Sequence, residues 1–318
     1  MNGFITVISM SLGRKFGRPR IFAYLEREER DISMSGECVE IFEVGPRDGL
    51  QNEARMIPTA EKVALVDLLS RAGFCRIEVA SFVSPKWVPQ MADSAEVLEN
   101  ITRGAGISYA ALTPNMTEFE RAMMARADEI AVFGAASESF ARANTNASID
   151  ESLARCAAVA QAGRAARVPV RGYVSCVVDC PYEGAVDPGA TARVVEALFA
   201  MGCYEVSLGD TTGQGTPARI EAMLKATLGV APAQKLAGHY HDTNGRAIEN
   251  IEVSLGMGLR VFDASVGGLG GCPYAPGAAG NVATEAVNAR LIELGYETGL
   301  HADVLAAGAK MARELRDV

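Results

Sequence analysis

The chain has 318 residues, with 30 Lys and Arg against 39 Asp and Glu, only 3 His, and 49% hydrophobic residues. That length fits two average domains or one large barrel, and it can bury a core without staples. A net charge of −9 excludes a broadly basic nucleic-acid surface, no apolar run reaches the roughly 18 residues of a membrane span, and seven scattered Cys make no disulfide scaffold and point to a reducing compartment.

Residues 1–36 read as a leader. A mildly apolar start precedes Arg14, Lys15, Arg18 and Arg20, the reverse of the basic-then-apolar order of a secretory signal. No acidic residue stands before Glu26, so a transit segment stays open beside the plainer reading of a poorly packed terminus.

From Val39 onward short β-rich runs alternate with helical stretches. The expected strands are Val39–Val44, Arg76–Ala80, Ile107–Leu112, Glu129–Phe133, Val168–Ser175, Tyr204–Leu208, Leu236–Tyr240 and Val261–Ser265. Between them, apolar residues fall at helical spacing, as in Val63, Val66 and Leu69, in Val194, Val195, Leu198 and Phe199, and in Ile248, Ile251 and Leu255. Pro58-Thr59 and Thr216-Pro217 mark helix starts, and Gly73, Gly202 and Gly258 mark helix stops. Residues 302–315 read as one more amphipathic helix. Strand–helix alternation implies parallel pairing, and eight units at this length predict a (β/α)8 TIM barrel with a C-terminal helical extension, one catalytic domain over residues 37–318. An open doubly wound sheet is the alternative, and it lacks a G-x-G-x-x-G after any strand.

In such a barrel the chemistry sits where the strands end. The unusual polar residues fall there. Arg47 and Asp48 follow strand 1, Glu78 lies in strand 2, strand 6 ends in Asp210, His239 and His241 end strand 7, and a glycine-rich stretch with Cys272 follows strand 8, with Asn281 beyond it. His239 and His241 stand two apart, so on a strand both imidazoles face one side and can reach one metal ion. Asp48 and Asn281 would complete a nitrogen- and oxygen-rich set, which suits Mg2+ or Mn2+, with Zn2+ and Fe2+ still open. Arg47 is placed to stabilise negative charge growing on a substrate oxygen. Glu78 either meets backbone at the core edge or orients Arg47. Cys272 is a candidate proton donor, or a small residue in a tight turn, in a loop with six glycines from Gly267 to Gly280. Cys176 and Cys180 have a spacing too weak to mark a metal pair.

The run Ser265-Val266-Gly267-Gly268-Leu269-Gly270-Gly271-Cys272-Pro273-Tyr274 resembles the signature of the 3-hydroxy-3-methylglutaryl-CoA lyase family. Val44–Glu53, Ser81–Met91, Gly172–Cys176, Ser207–Thr211 and Gly280–Glu285 resemble further family segments in the same order, so the likeness spans about residues 39–315. The resemblance implies a TIM-barrel carbon–carbon lyase that cleaves 3-hydroxy-3-methylglutaryl-CoA to acetyl-CoA and acetoacetate by a retro-Claisen step, in leucine degradation and ketone-body metabolism. It implies Asp48, His239, His241 and Asn281 as ligands to Mg2+ or Mn2+, and Arg47 as the group that polarises the thioester carbonyl. Glu78 and Asp210 would support Arg47, substrate and metal, and Cys272 would transfer a proton. The base would be Asp48 or a water held by the metal. Gln51, Asn144 and Tyr173 are the expected further substrate contacts. A homodimer is expected, with a CoA thioester as the only other partner, in a bacterial cytoplasm before a mitochondrial matrix. Two rivals are a condensing transferase on the same barrel and a metal-binding barrel without catalysis.

Overall fold

The structure is a computed structural model that describes residues 36–270 and 280–316. The expected leader therefore lies outside the described residues apart from Gly36, and so does Cys272. Eight parallel strands close into a barrel: β1 (Glu40–Glu43), β2 (Arg76–Ser81), β3 (Ser108–Leu112), β4 (Glu129–Ala135), β5 (Val170–Ser175), β6 (Glu205–Asp210), β7 (Leu236–Tyr240) and β8 (Val261–Ala264). Each strand pairs with its neighbours in sequence, and β8 closes the ring on β1 with Glu40 opposite Val261 and Glu43 opposite Ala264. All eight expected strands are present. β6 runs two residues past the expected Leu208 and ends in Asp210.

The helices are α1 (Thr59–Leu69), α2 (Ser94–Asn100), α3 (Met116–Met124), α4 (Glu138–Thr145), α5 (Ile149–Ala166), α6 (Pro188–Met201), α7 (Pro217–Thr227), α8 (Ala247–Gly256), α9 (Thr284–Glu293) and α10 (Ala302–Arg316). Local chemistry explains their ends. Thr216 accepts a hydrogen bond from the Arg219 amide and is followed by Pro217, whose missing N–H costs nothing in a first turn. Ser148 and Glu151 form a reciprocal capping box on α5, and Gly202 ends α6 at φ +99°. A small antiparallel hairpin, Asp179–Cys180 with Gly184–Ala185, follows β5; strands of two residues leave no periodicity to read.

The outer faces of the strands bury apolar side chains against the helices. Ile77, Ile130, Val206 and Leu208 share one core with Leu65, Val159, Leu198 and Leu224. The barrel interior is different. Arg76 pairs with Glu40 at 2.6 Å and Glu205 at 3.0 Å, and Arg171, completely buried, pairs with Glu205 at 2.7 Å and Asp263 at 2.7 Å. The Phe42 ring lies against both guanidinium groups, 4.8 Å from Arg76 and 4.4 Å from Arg171. Buried charges hold only when each has partners, and here each does.

Glu43 ties three segments together at the barrel mouth. Its carboxylate accepts hydrogen bonds from the amides of Gly45 and Val266 and from the Thr284 hydroxyl, at 2.8, 2.9 and 2.7 Å. It thereby joins the turn after β1, the turn after β8 and the start of α9. Burial pushes the Glu43 carboxyl up to about 7 against the pull of those donors. A folded pKa above the unfolded 4.5 means stability present below 4.5 that is lost as pH rises through 7. Glu43→Gln should flatten that decline in urea unfolding, because an amide can accept from the two backbone groups and donate to Thr284. Glu43→Ala should cost about 3 kcal/mol or more, since three buried donors lose their acceptor.

Candidate active site

The chain leaves β1 through a wide helical turn, Gly45–Gly49, in which the amides of Arg47, Asp48 and Gly49 all converge on the Val44 carbonyl. The turn aims Arg47 and Asp48 over the barrel mouth. Gly49 has no room for a side chain: a Cβ there would lie 2.7 Å from Leu269 Cβ and from Ser265 Oγ. Gly270 is pinned in the same way, at φ +94°, with Gly49 Cα and Asn281 Nδ2 within 3.2 Å of any added Cβ. The glycine turn after β8 therefore packs backbone to backbone on the turn after β1.

Asp48, His239 and His241 come together as the sequence predicts, each with one ligand atom within 4.8 Å of the others. His239 Nε2 is 3.9 Å from Asp48 Oδ2, and the two imidazole rings are 5.4 Å apart. Asn281 donates from Nδ2 to Asp48 Oδ2 at 2.8 Å, and its backbone bridges that of His241. Gln51 donates to the other oxygen of Asp48 at 3.2 Å. Burial alone would raise the pKa of Asp48, but Arg47 and the two imidazoles outweigh it and hold the carboxyl near 2. Burial and the neighbouring His239 hold His241 down at about 4, so it is a neutral imidazole. His241 Nδ1 is buried with no hydrogen-bond partner. A buried orphan nitrogen beside an ionised carboxylate and a second imidazole is what a divalent cation would satisfy, and no thiolate joins the set among the described residues.

Arg47 is buried beside this cluster. Its Nε donates to Glu78 Oε2 at 2.7 Å, Nη2 lies 2.5 Å from the same oxygen, and Nη1 donates to Asp48 Oδ1 at 2.5 Å. A guanidinium has five N–H donors, so Nη1 and Nη2 each keep one for a substrate. Of the two readings of Glu78, the one whose contact the structure contains is that with Arg47. Tyr173 lies under the guanidinium, 5.6 Å from ring to Cζ, and its hydroxyl donates to Glu78 Oε2 at 3.2 Å.

Asp210 and Asn144 lie outside the Asp48–His239–His241 cluster. Asp210 accepts from the Gly215 amide through Oδ2 at 2.8 Å and so holds the turn after β6, while its Oδ1 is buried with no hydrogen-bond partner. Burial raises its carboxyl to about 6. Asn144 is exposed on α4, bordering a cleft with Phe133 and Phe140.

Two site residues escape the sequence reading. Asp263 in β8 accepts from His239 Nδ1 at 3.1 Å, from Ser207 Oγ at 2.7 Å and from both Nη atoms of Arg171 at 3.0 and 2.7 Å. Although burial opposes it, Arg171 and His239 hold Asp263 ionised, so His239 carries its proton on Nδ1 and turns Nε2 toward Asp48. A charge in mid-strand between Phe262 and Ala264, and another between Val170 and Gly172, was the available signal.

A closed (β/α)8 barrel with a carboxylate and two imidazoles converging at its mouth defines the class of protein. Residues 38–311 match the model of the HMGL-like family, and the chain belongs to that family. A bovine mitochondrial hydroxymethylglutaryl-CoA lyase is 54% identical over 278 residues, 87% of this chain and 86% of the relative. The rat mitochondrial enzyme is 56% identical over 263 residues, 83% of this chain and 81% of its own. The crystal structure of the HMG-CoA lyase from Brucella melitensis superposes with a TM-score of 0.88 at 58% identity, covering 89% of this chain and 100% of that one. An HMG-CoA lyase from Acinetobacter baumannii, solved in complex with coenzyme A and 3-methylmalate, superposes with a TM-score of 0.83 at 35% identity, covering 87% and 91%.

Proposed function

We propose that this chain is a cation-dependent carbon–carbon lyase that cleaves 3-hydroxy-3-methylglutaryl-CoA to acetyl-CoA and acetoacetate. The observation that carries this reading is the Asp48–His239–His241 cluster placed against an arginine held by Glu78 with N–H groups to spare. Family membership and the names of the relatives support it.

A retro-Claisen cleavage must hold a tertiary alcohol as it loses its proton, hold the enolate that leaves, and protonate that carbon. Asp48, His239 and His241, with Asn281 beside them, would hold Mg2+ or Mn2+, which lowers the pKa of a coordinated alcohol and fixes the substrate's oxygens. Asp48 stays ionised at neutral pH, so it offers an acceptor to the tertiary hydroxyl. As the carbon–carbon bond breaks, its electron pair moves into the thioester, and the uncommitted N–H groups of Arg47 meet the charge on the enolate oxygen. Glu78 and Tyr173 keep the guanidinium from following the substrate out. Protonation of the enolate carbon falls to Cys272, two residues beyond Gly270 in sequence, and Gly270 itself lies against Gly49 and Asn281. Gln51 and Tyr173 border the acyl end. Asn144, farther out on α4, fits a contact to the CoA arm. Residues 37–318 form the catalytic domain on this reading, and a second copy of the chain is its expected partner.

A coupled assay of acetyl-CoA release, with Mg2+, with Mn2+ and after chelation, tests the proposal. Release that depends on the cation is expected. No release from 3-hydroxy-3-methylglutaryl-CoA with either ion present would overturn the reading.

A further inference from the structure

The polar contacts around the site close on themselves. His239 donates to Asp263, Asp263 accepts from Arg171, and Arg171 donates to the Tyr173 hydroxyl at 2.9 Å. Tyr173 donates to Glu78, Glu78 accepts from Arg47, Arg47 donates to Asp48, and Asp48 faces His239 at 3.9 Å. The ring draws on β2, β5, β7 and β8 and on the turn after β1, and every member except Asp48 is buried to less than a tenth of its surface. Two of its members, Asp263 and Arg171, belong neither to the Asp48–His239–His241 cluster nor to the groups placed at the thioester. We propose that Asp263, Arg171 and Tyr173 are positioning residues that couple the cation site to Arg47, so that a change made on one side of the ring is felt on the other.

Geometry requires a coupling of this kind. Asp263 Oδ2 is shared by three donors, His239, Ser207 and Arg171, so the imidazole cannot turn without disturbing the guanidinium. Arg171 also donates from Nε to Glu205 and from Nη1 to Tyr173 and is fully buried, so it has no solvent to turn to. Tyr173 then passes any shift to Glu78 Oε2, the oxygen that also receives Arg47. Ordinary support for a histidine ligand would stop at Asp263; here the same carboxylate is the first link toward the group that meets the thioester. A ring of buried charge-assisted bonds has few alternative arrangements, because each broken contact leaves a buried group unpaired.

The inference rests on the lyase reading for the role of Arg47, but its test does not use turnover. Mn2+ affinity is measured by titration of the substrate-free protein in the wild type, Asp263→Asn, Tyr173→Phe and the double variant, with thermal unfolding run on each. Asp263→Asn is expected to weaken Mn2+ binding about 10- to 100-fold, the usual effect of removing an outer partner of a histidine ligand. Tyr173→Phe is expected to weaken it about threefold or more, although the lost hydroxyl touches no ligand. The double variant is expected to lose less than the product of the two single effects, which independent sites would not do. If Asp263→Asn fails to fold, Ser207→Ala takes its place in the cycle, since it removes one bond to the same oxygen. An unchanged Mn2+ affinity in Tyr173→Phe, or strictly multiplicative losses, overturns the coupling while leaving the lyase reading intact. A wild type that binds no Mn2+ and releases no acetyl-CoA overturns that reading instead.

Discussion

His239→Ala should abolish cation-dependent cleavage. The substitution removes one of two imidazoles at the cluster and also leaves Asp263 without one of its donors. Lewis-acid stabilisation of an oxyanion is worth several kcal/mol, so turnover should fall on the order of a thousandfold or more. Mn2+ titration should show the cause directly, as a loss of binding in a protein that still unfolds cooperatively. Cys272→Ala is the contrasting variant: turnover falls, and Mn2+ binding stays near that of the wild type. Tight Mn2+ binding by His239→Ala would mean that the imidazole is not a ligand.

Arg47→Gln tests the other half of the site. Its donors are aimed from a buried position by Glu78 and Asp48, and one preorganised oxyanion donor is typically worth about 100- to 1000-fold in kcat. Two uncommitted N–H groups are lost together, so a drop of about a thousandfold or more is expected. An interaction made mainly in the transition state lowers kcat and kcat/KM alike, which is the pattern to look for. A rise in KM with unchanged kcat would make Arg47 a binding group only. Glu78 loses its cationic partner in this variant, and burial then favours its protonated form, so stability must be checked beside the kinetics.

The sequence carried the barrel well because the signal was redundant. Parallel strands buried on both faces read as short apolar runs, and the eight expected runs all became strands. The Asp48–His239–His241 cluster was legible because His239 and His241 stand two apart at the end of one strand and Asp48 follows another. Asp263 and Arg171 were not, because a lone charge in mid-strand looks the same whether it faces a barrel interior or a bulge. Only closure of the ring brings β5 to face β8 across the interior and pairs the two residues. Asp210 shows another limit. Its position at a strand end was legible, but not that the turn after β6 folds back so that the Gly215 amide takes one of its two oxygens.

Closure of β8 onto β1 has a consequence for folding. Asp48 and Asn281 touch across 233 residues of chain, and Glu43 meets Thr284 across 241. On the proposed reading, an ion held by Asp48, His239, His241 and Asn281 would bind the closed barrel in preference to open forms, because Asp48 and Asn281 meet only on closure. Its binding free energy would then add to the stability of the finished barrel, growing as its concentration exceeds the dissociation constant. Contacts of such long range also make the closing step slow, so the open form that exposes its strand edges is the one in which a folding chain lingers.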